Sequence, residues 1–211
     1  DHKHKTNQIM LFSSPHFIFA FLPVVLGGYI ILSHFKKITL VYLWLSVCSL
    51  FFYAYWNPPF VLLLILSISI NYLIGTFLLK DGGKKYLIAG IIFNLALIGF
   101  FKYFGLFIST INQLFSTTLV QPSIILPLAI SFFTFQQIAY LADIYQGKIK
   151  FDTKEINPLK YIFFVSFFPQ LIAGPIVHYR EIIPQIKERK LDGLTSSNIF
   201  IGMTIFIIGL Q

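Results

Sequence analysis

A chain of 211 residues with 56% hydrophobic, 18% aromatic and only 11% charged positions, and a mean hydropathy of +0.78, is not a water-soluble domain, which carries about 25% charged residues. The formal net charge is +8, but the cations fall in gaps between apolar runs rather than on one packed face, so they read as topology signals and exclude a nucleic-acid reader. The single cysteine, Cys48, lies inside an apolar run, which excludes an internal disulfide and a cysteine-based metal cluster.

Residues 1–9 are polar, precede Met10 and are set aside as an N-terminal extension. A membrane-spanning helix needs about 20 mostly apolar residues, and such runs follow at 17–33, 38–56, 59–79, 86–111, 124–145, 159–179 and 198–211. The expected fold is all-α, a polytopic multi-helix membrane bundle. The first run has no A-x-A site around Leu32, Ser33 and His34 and further apolar runs follow it, so it reads as an uncleaved span rather than a signal peptide. The aromatics Phe51 to Trp56 and the turn Asn57-Pro58-Pro59 read as an interfacial belt at the outer boundary. The last run is still apolar at Gln211, and residues 10–211 are expected to be the N-terminal part of one longer transmembrane domain.

Cations set the expected orientation. Lys36 and Lys37, then Lys80, Lys84 and Lys85, then Lys148, Lys150, Lys154 and Lys160 occupy alternate connections, while 57–58 and 112–123 carry none. Positive loops face the cytoplasm, which places the N-terminus outside. Arg180, Lys187, Arg189 and Lys190 break the alternation if 159–179 crosses fully. That run contains Pro169, Gly174 and Pro175. Proline deletes a donor and clashes with the preceding turn, and broken backbone at membrane depth survives only where protein or a hydrated cavity satisfies it. A re-entrant or split segment at 163–177 is therefore expected, an ordinary kinked span being the other reading. Pro127 is a milder break in 124–145 that equally suits a helix start.

Polar side chains inside the runs mark the candidate site. Gln136, Tyr140 and Asp143 recur at i, i+4 and i+7, one stripe on a helix, with Ser131, Thr134 and Gln137 nearby and Gly147 as the stop. An unsatisfied polar group in hydrocarbon costs several kcal/mol, so the stripe faces the bundle or a wet cavity. Interhelical hydrogen bonding accounts for it as well as a functional role does. Asn71 and Asn94 lie mid-run and read as glue between helices; Lys102 reads as a snorkelling cation. Of the histidines, His2 and His4 fall in the extension, His16 and His34 flank the first span, and only His178 stands beside a backbone break, followed by Arg180, a fork for an anionic group. Nucleophile-elbow, phosphate-loop and H-E-x-x-H motifs are missing, and no metal site is assigned.

The opening Met10-Leu11-Phe12-Ser13-Ser14, the FFYAYW element, the run from Leu126 to Tyr145 with Gly147, and FPQLIAGPIVHYREIIPQ from Phe168 together resemble the membrane-bound O-acyltransferase family. The branch they are most similar to is that of the bacterial alginate and peptidoglycan O-acetyltransferases. The resemblance runs in order over residues 10–211. It implies an enzyme of the bacterial inner membrane that passes an acyl group, acetyl in this branch, from a cytoplasmic thioester to hydroxyls of an extracytoplasmic polysaccharide through a tunnel among the helices. Acyl-CoA or an acyl-carrier thioester would be donor substrate, with no cofactor bound. The bilayer, the donor, the polysaccharide and a periplasmic acyltransferase are the implied partners. The family's catalytic histidine falls in a later segment, after Gln211, so no catalytic residue is assigned here and residues 1–211 alone are expected to be inactive. Gln136, Tyr140, Asp143, His178 and Arg180 are the candidates for tunnel lining or its support, with Pro169, Gly174 and Pro175 forming the re-entrant backbone. Two competing readings are a transporter or flippase, which commonly shows paired repeats although the Gly-Pro element has no second copy, and a non-catalytic scaffold for a soluble transferase.

Overall fold

The computed structural model describes residues 12–35, 37–120, 123–149, 157–174, 177–188 and 196–209, and among them every regular element is helical. A π-helical turn Phe17–Phe21 leads into α1 (Leu22–His34). The elements α2 (Ile38–Trp56), α3 (Pro58–Asp81) and α4 (Lys84–Ile98) follow, and a second π-helical turn, Gly99–Tyr103, joins α4 to α5 (Phe104–Phe115). Then come α6 (Ile130–Tyr145), α7 (Pro158–Ser166), α8 (Phe168–Ala173), α9 (Tyr179–Glu188) and α10 (Ser196–Gly209). Four continuous rods, Phe17–His34, Ile38–Trp56, Pro58–Asp81 and Lys84–Phe115, are long and apolar enough to cross a membrane, and the chain is an all-α multi-pass membrane protein. Residues 1–9 lie outside the described residues.

The chain divides into two compact units. The first comprises residues up to Leu62, Leu159–Phe168 and Tyr179 onward. Its core is aromatic: Phe12, Phe17, Phe21, Phe52 and Phe168 meet with ring centroids 5.1–6.4 Å apart, within the range where edge and offset contacts add to burial. Between α1 and α2 the Trp44 indole N–H donates to the Val25 carbonyl at 3.0 Å, and its ring sits so closely on Gly28 that any Cβ there would strike it. The aromatic belt at the end of α2 is only partly a belt. Phe51 and Tyr55 are exposed, but Phe52 and Tyr53 are buried at 3% and 0% exposure, because a helix turns successive residues by about 100° and so sends this pair inward.

The second unit comprises Leu63–Pro158 and Pro169–His178. Here α3, α4 and α6 approach closely through glycine. A Cβ on Gly90 would run into Leu141, and one on Gly75 would stand 3.0 Å from Tyr140 Cε1. Between α3 and α4, Asn71 Nδ2 donates to Asn94 Oδ1 at 3.3 Å and Asn94 Nδ2 returns a bond to Asn71 Oδ1 at 2.6 Å. Their remaining amide protons go to Ser67 O and Gly90 O of their own helices. Both amides are fully buried, so each is satisfied where it lies, as interhelical glue must be.

Two apolar runs fold differently from a simple span. In 124–145 the helix begins only at Ile130: Pro127 stays outside it, and Ala129 adopts a left-handed φ of 57°. The resulting 16 residues measure about 24 Å at 1.5 Å per residue. The run 159–179 is split into α7 and α8. At the split the Phe168 N–H leaves the helical ladder and donates to Ser49 Oγ of α2 at 3.3 Å, while the Ser49 hydroxyl donates to Leu45 O at 2.6 Å. Protein thereby satisfies the broken backbone. Pro169, in the first turn of α8, has no donor to lose, and the Gly174 N–H closes that helix on Gln170 O at 3.1 Å. A Cβ on Gly174 would lie 2.9 Å from the Gln170 backbone, so glycine is required for this close approach. Pro175 lies outside the described residues.

Candidate functional site

The polar stripe of α6 lies on its buried side. Gln136, Tyr140 and Asp143 are exposed by only 5%, 2% and 2%, and Thr134 and Gln137 not at all. Thr134 is satisfied locally, its hydroxyl donating to Ile130 O at 2.6 Å. Gln137 Nε2 reaches across to Ser67 Oγ on α3 at 2.9 Å. One face of the helix thus carries a continuous row of polar groups inside the second unit.

The row ends in an Asp–His pair. His178 Nδ1 stands 2.6 Å from Asp143 Oδ2, and Lys148 Nζ lies 3.9 Å from Oδ1. The local sequence explains how Lys148 reaches the carboxylate. Gly147, at φ +67°, takes the left-handed turn that other residues resist. It lets the Gly147 N–H donate to Ile144 O at 2.9 Å and the Lys148 N–H to Asp143 O at 3.0 Å, the two bonds of a Schellman stop, which brings Lys148 back over the last helical turn. The Asp143 side chain is 3% exposed and that of His178 36%. A covered carboxylate that accepts the Nδ1 proton fixes the ring orientation and leaves Nε2 available to another partner. Burying the carboxylate would be costly without these two neighbours.

The structure therefore brings Asp143 and His178 together and gathers Gln136, Tyr140 and Asp143 on one face. Arg180 is exposed in the first turn of α9 and belongs to the first unit. Pro169 and Gly174 sit at the two ends of α8. Lys148, which the sequence presents only as a topology charge, is also a partner of Asp143, and the one sequence signal for this is the glycine placed between the two. Ser49, which holds the broken backbone, left no signal in the sequence, since a serine in an apolar helix more often bonds only its own preceding turn.

Comparison with known proteins adds relatives along most of the chain. Over 96% of its length it is 44% identical to a peptidoglycan O-acetyltransferase of Helicobacter pylori, of which it covers 43%. Over 85% of its length it is 35% identical to the probable alginate O-acetylase AlgI of Pseudomonas aeruginosa and 32% identical to that of Azotobacter vinelandii, covering 35% and 36% of them. The chain spans less than half the length of the curated relatives it matches. No protein-family model and no solved structure matches it.

Proposed function

Because the chain belongs to the membrane-bound O-acyltransferase family, we propose that it forms part of an inner-membrane enzyme carrying an acetyl group from a cytoplasmic thioester to hydroxyls of an extracytoplasmic polysaccharide. The observation that carries this reading is the 44% identity, over 96% of the chain, to a relative named as a peptidoglycan O-acetyltransferase. The geometry fits it. Attack of an alcohol on a thioester needs a base near pH 7 to take the hydroxyl proton, and neither that hydroxyl nor the donor's polar groups are welcome in lipid. The buried row Gln136, Tyr140 and Asp143, with His178 fixed at its end, supplies hydrogen-bonding groups at membrane depth, and we assign these residues to the lining or support of such a passage. Arg180, exposed beside the pair in sequence, is assigned to anionic groups of the donor. No residue between 1 and 211 is assigned as the base.

In this reading the split segment enters from the cytoplasmic side and returns, so that 146–160 and 180–190 share that side and the N-terminus lies outside. A periplasmic transferase would receive the acetyl group, and an acyl-CoA or acyl-carrier thioester would supply it. Mass spectrometry of cell-surface polysaccharide from cells with and without the gene tests the proposal. Loss of acetyl from a defined sugar is expected, and acetylation unchanged by the deletion would refute it. Transfer that persists after the ion gradients are collapsed separates the enzyme from a transporter.

A further inference from the structure

We propose that α5 is an interfacial helix whose apolar face is seated in the headgroup–acyl boundary of the extracytoplasmic leaflet, with a phospholipid surface as its partner. The rod Lys84–Phe115 has 32 residues, about 48 Å at 1.5 Å per residue, against a hydrocarbon core of about 30 Å. Even a tilt of about 40°, the upper end for spanning helices, leaves it roughly 37 Å tall. A crossing of ordinary length fits the stretch from Lys84 to Tyr103, about 20 residues and 30 Å. That stretch ends at an interface marker: Lys102 and Tyr103 are both exposed, with Nζ 5.6 Å from the Tyr103 ring centroid. Cations and tyrosines gather at this depth. On the orientation proposed above, which puts Lys84 and Lys85 on the cytoplasmic side, the twelve residues of α5 lie past the far interface.

The side-chain pattern changes at the same place. From Leu87 to the π-helical turn the rod is apolar all round, its one mid-span amide, Asn94, being paired with Asn71. In α5, at about 100° per residue, Phe104, Phe107, Ile108, Ile111, Leu114 and Phe115 fall within an arc of about 120°, while Ser109, Asn112 and Gln113 occupy the opposite side. Leu106 alone breaks the pattern. No residue of α5 is buried; Phe107, Leu114 and Phe115 are 62%, 72% and 72% exposed. A one-sided helix lies in the interface plane, whereas an all-apolar one spans. The junction allows the change of direction, because π-helical turns bend helices and Tyr103 departs from helical geometry at φ −114° and ψ −6°. Asn112 then folds the following chain over the polar side, donating through Nδ2 to Leu119 O at 3.0 Å and accepting from the Leu119 N–H at 2.9 Å. Since α5 carries no charged residue, apolar burial rather than attraction to anionic lipid must seat it.

Nitroxide labels on Phe107→Cys, Leu114→Cys, Ser109→Cys and Gln113→Cys, each in a Cys48→Ser background, test the proposal in the full chain reconstituted into phosphatidylcholine vesicles. Collision with oxygen and with a water-soluble nickel chelate reports depth. Labels 107 and 114 should lie about 5–10 Å into the boundary with 109 and 113 open to water, and adding phosphatidylglycerol should change neither. Four deep labels, as in a continuous span, would overturn it. So would four labels in water, labels 107 and 114 shielded from both reagents as beneath a protein, or a requirement for phosphatidylglycerol.

Discussion

Asp143 keeps its carboxylate under protein at the end of α6, met by His178 and, farther off, Lys148. Its cost of burial is offset only while those neighbours remain. His178→Ala removes the nearer one; because the imidazole is a third open to solvent, which screens the contact, the loss in stability should be about 1 kcal/mol. In the Asp143→Asn, His178→Ala double variant part of that cost should disappear, since the carboxylate left without its partner is gone. Thermal unfolding in detergent measures both, and a double variant whose loss equals the sum of the two singles would show that the pair is not coupled. Each member was legible in the sequence, Asp143 from the stripe and His178 from its place beside a backbone break. The contact between them was not, because 35 residues separate them in the chain and no local periodicity relates positions so far apart.

At the scale of elements, the apolar runs that lie between clear turn signals read well. The expected 38–56 is α2 itself, and 17–33 and 59–79 fall within two residues of the observed rods, because each is a long apolar run ended by a cation, proline or glycine. Hydropathy failed at 124–145, since it counts Ile124 to Leu128 as helical material and does not sense the left-handed Ala129. The asparagine bridge between α3 and α4 gives this scale its prediction. Asn71→Leu strands the buried amide of Asn94, and Asn94→Leu does the reverse; each should cost about 1 kcal/mol. The double leucine variant should be less destabilised than either, because no amide is then left unpaired. Unfolding titrations in mixed micelles measure this, and a double loss larger than both singles would return the pair to independent roles.

For the whole molecule, charge placement sets the expected orientation. In a Cys48→Ala background, Lys154→Cys and Lys187→Cys should both resist a membrane-impermeant maleimide in intact cells and react once the membrane is permeabilised, which places both flanks of the split segment inside. Reaction of one of them from outside would make 159–179 a full crossing. The membrane class was legible from composition alone, and the split from Pro169 and Gly174. The proposed reaction is not legible from periodicity or spacing and rests on resemblance, because a buried polar row looks the same whether it holds helices together or lines a passage.

Trp44, wedged on Gly28 with its N–H tied to the Val25 carbonyl, is one of only two tryptophans in the chain; the other, Trp56, stacks on Phe60 at the far end of α2. The chain thus carries a native optical gauge: any loosening between its first two rods must alter the colour and yield of one indole's emission, so insertion and assembly can be followed by light without adding a dye.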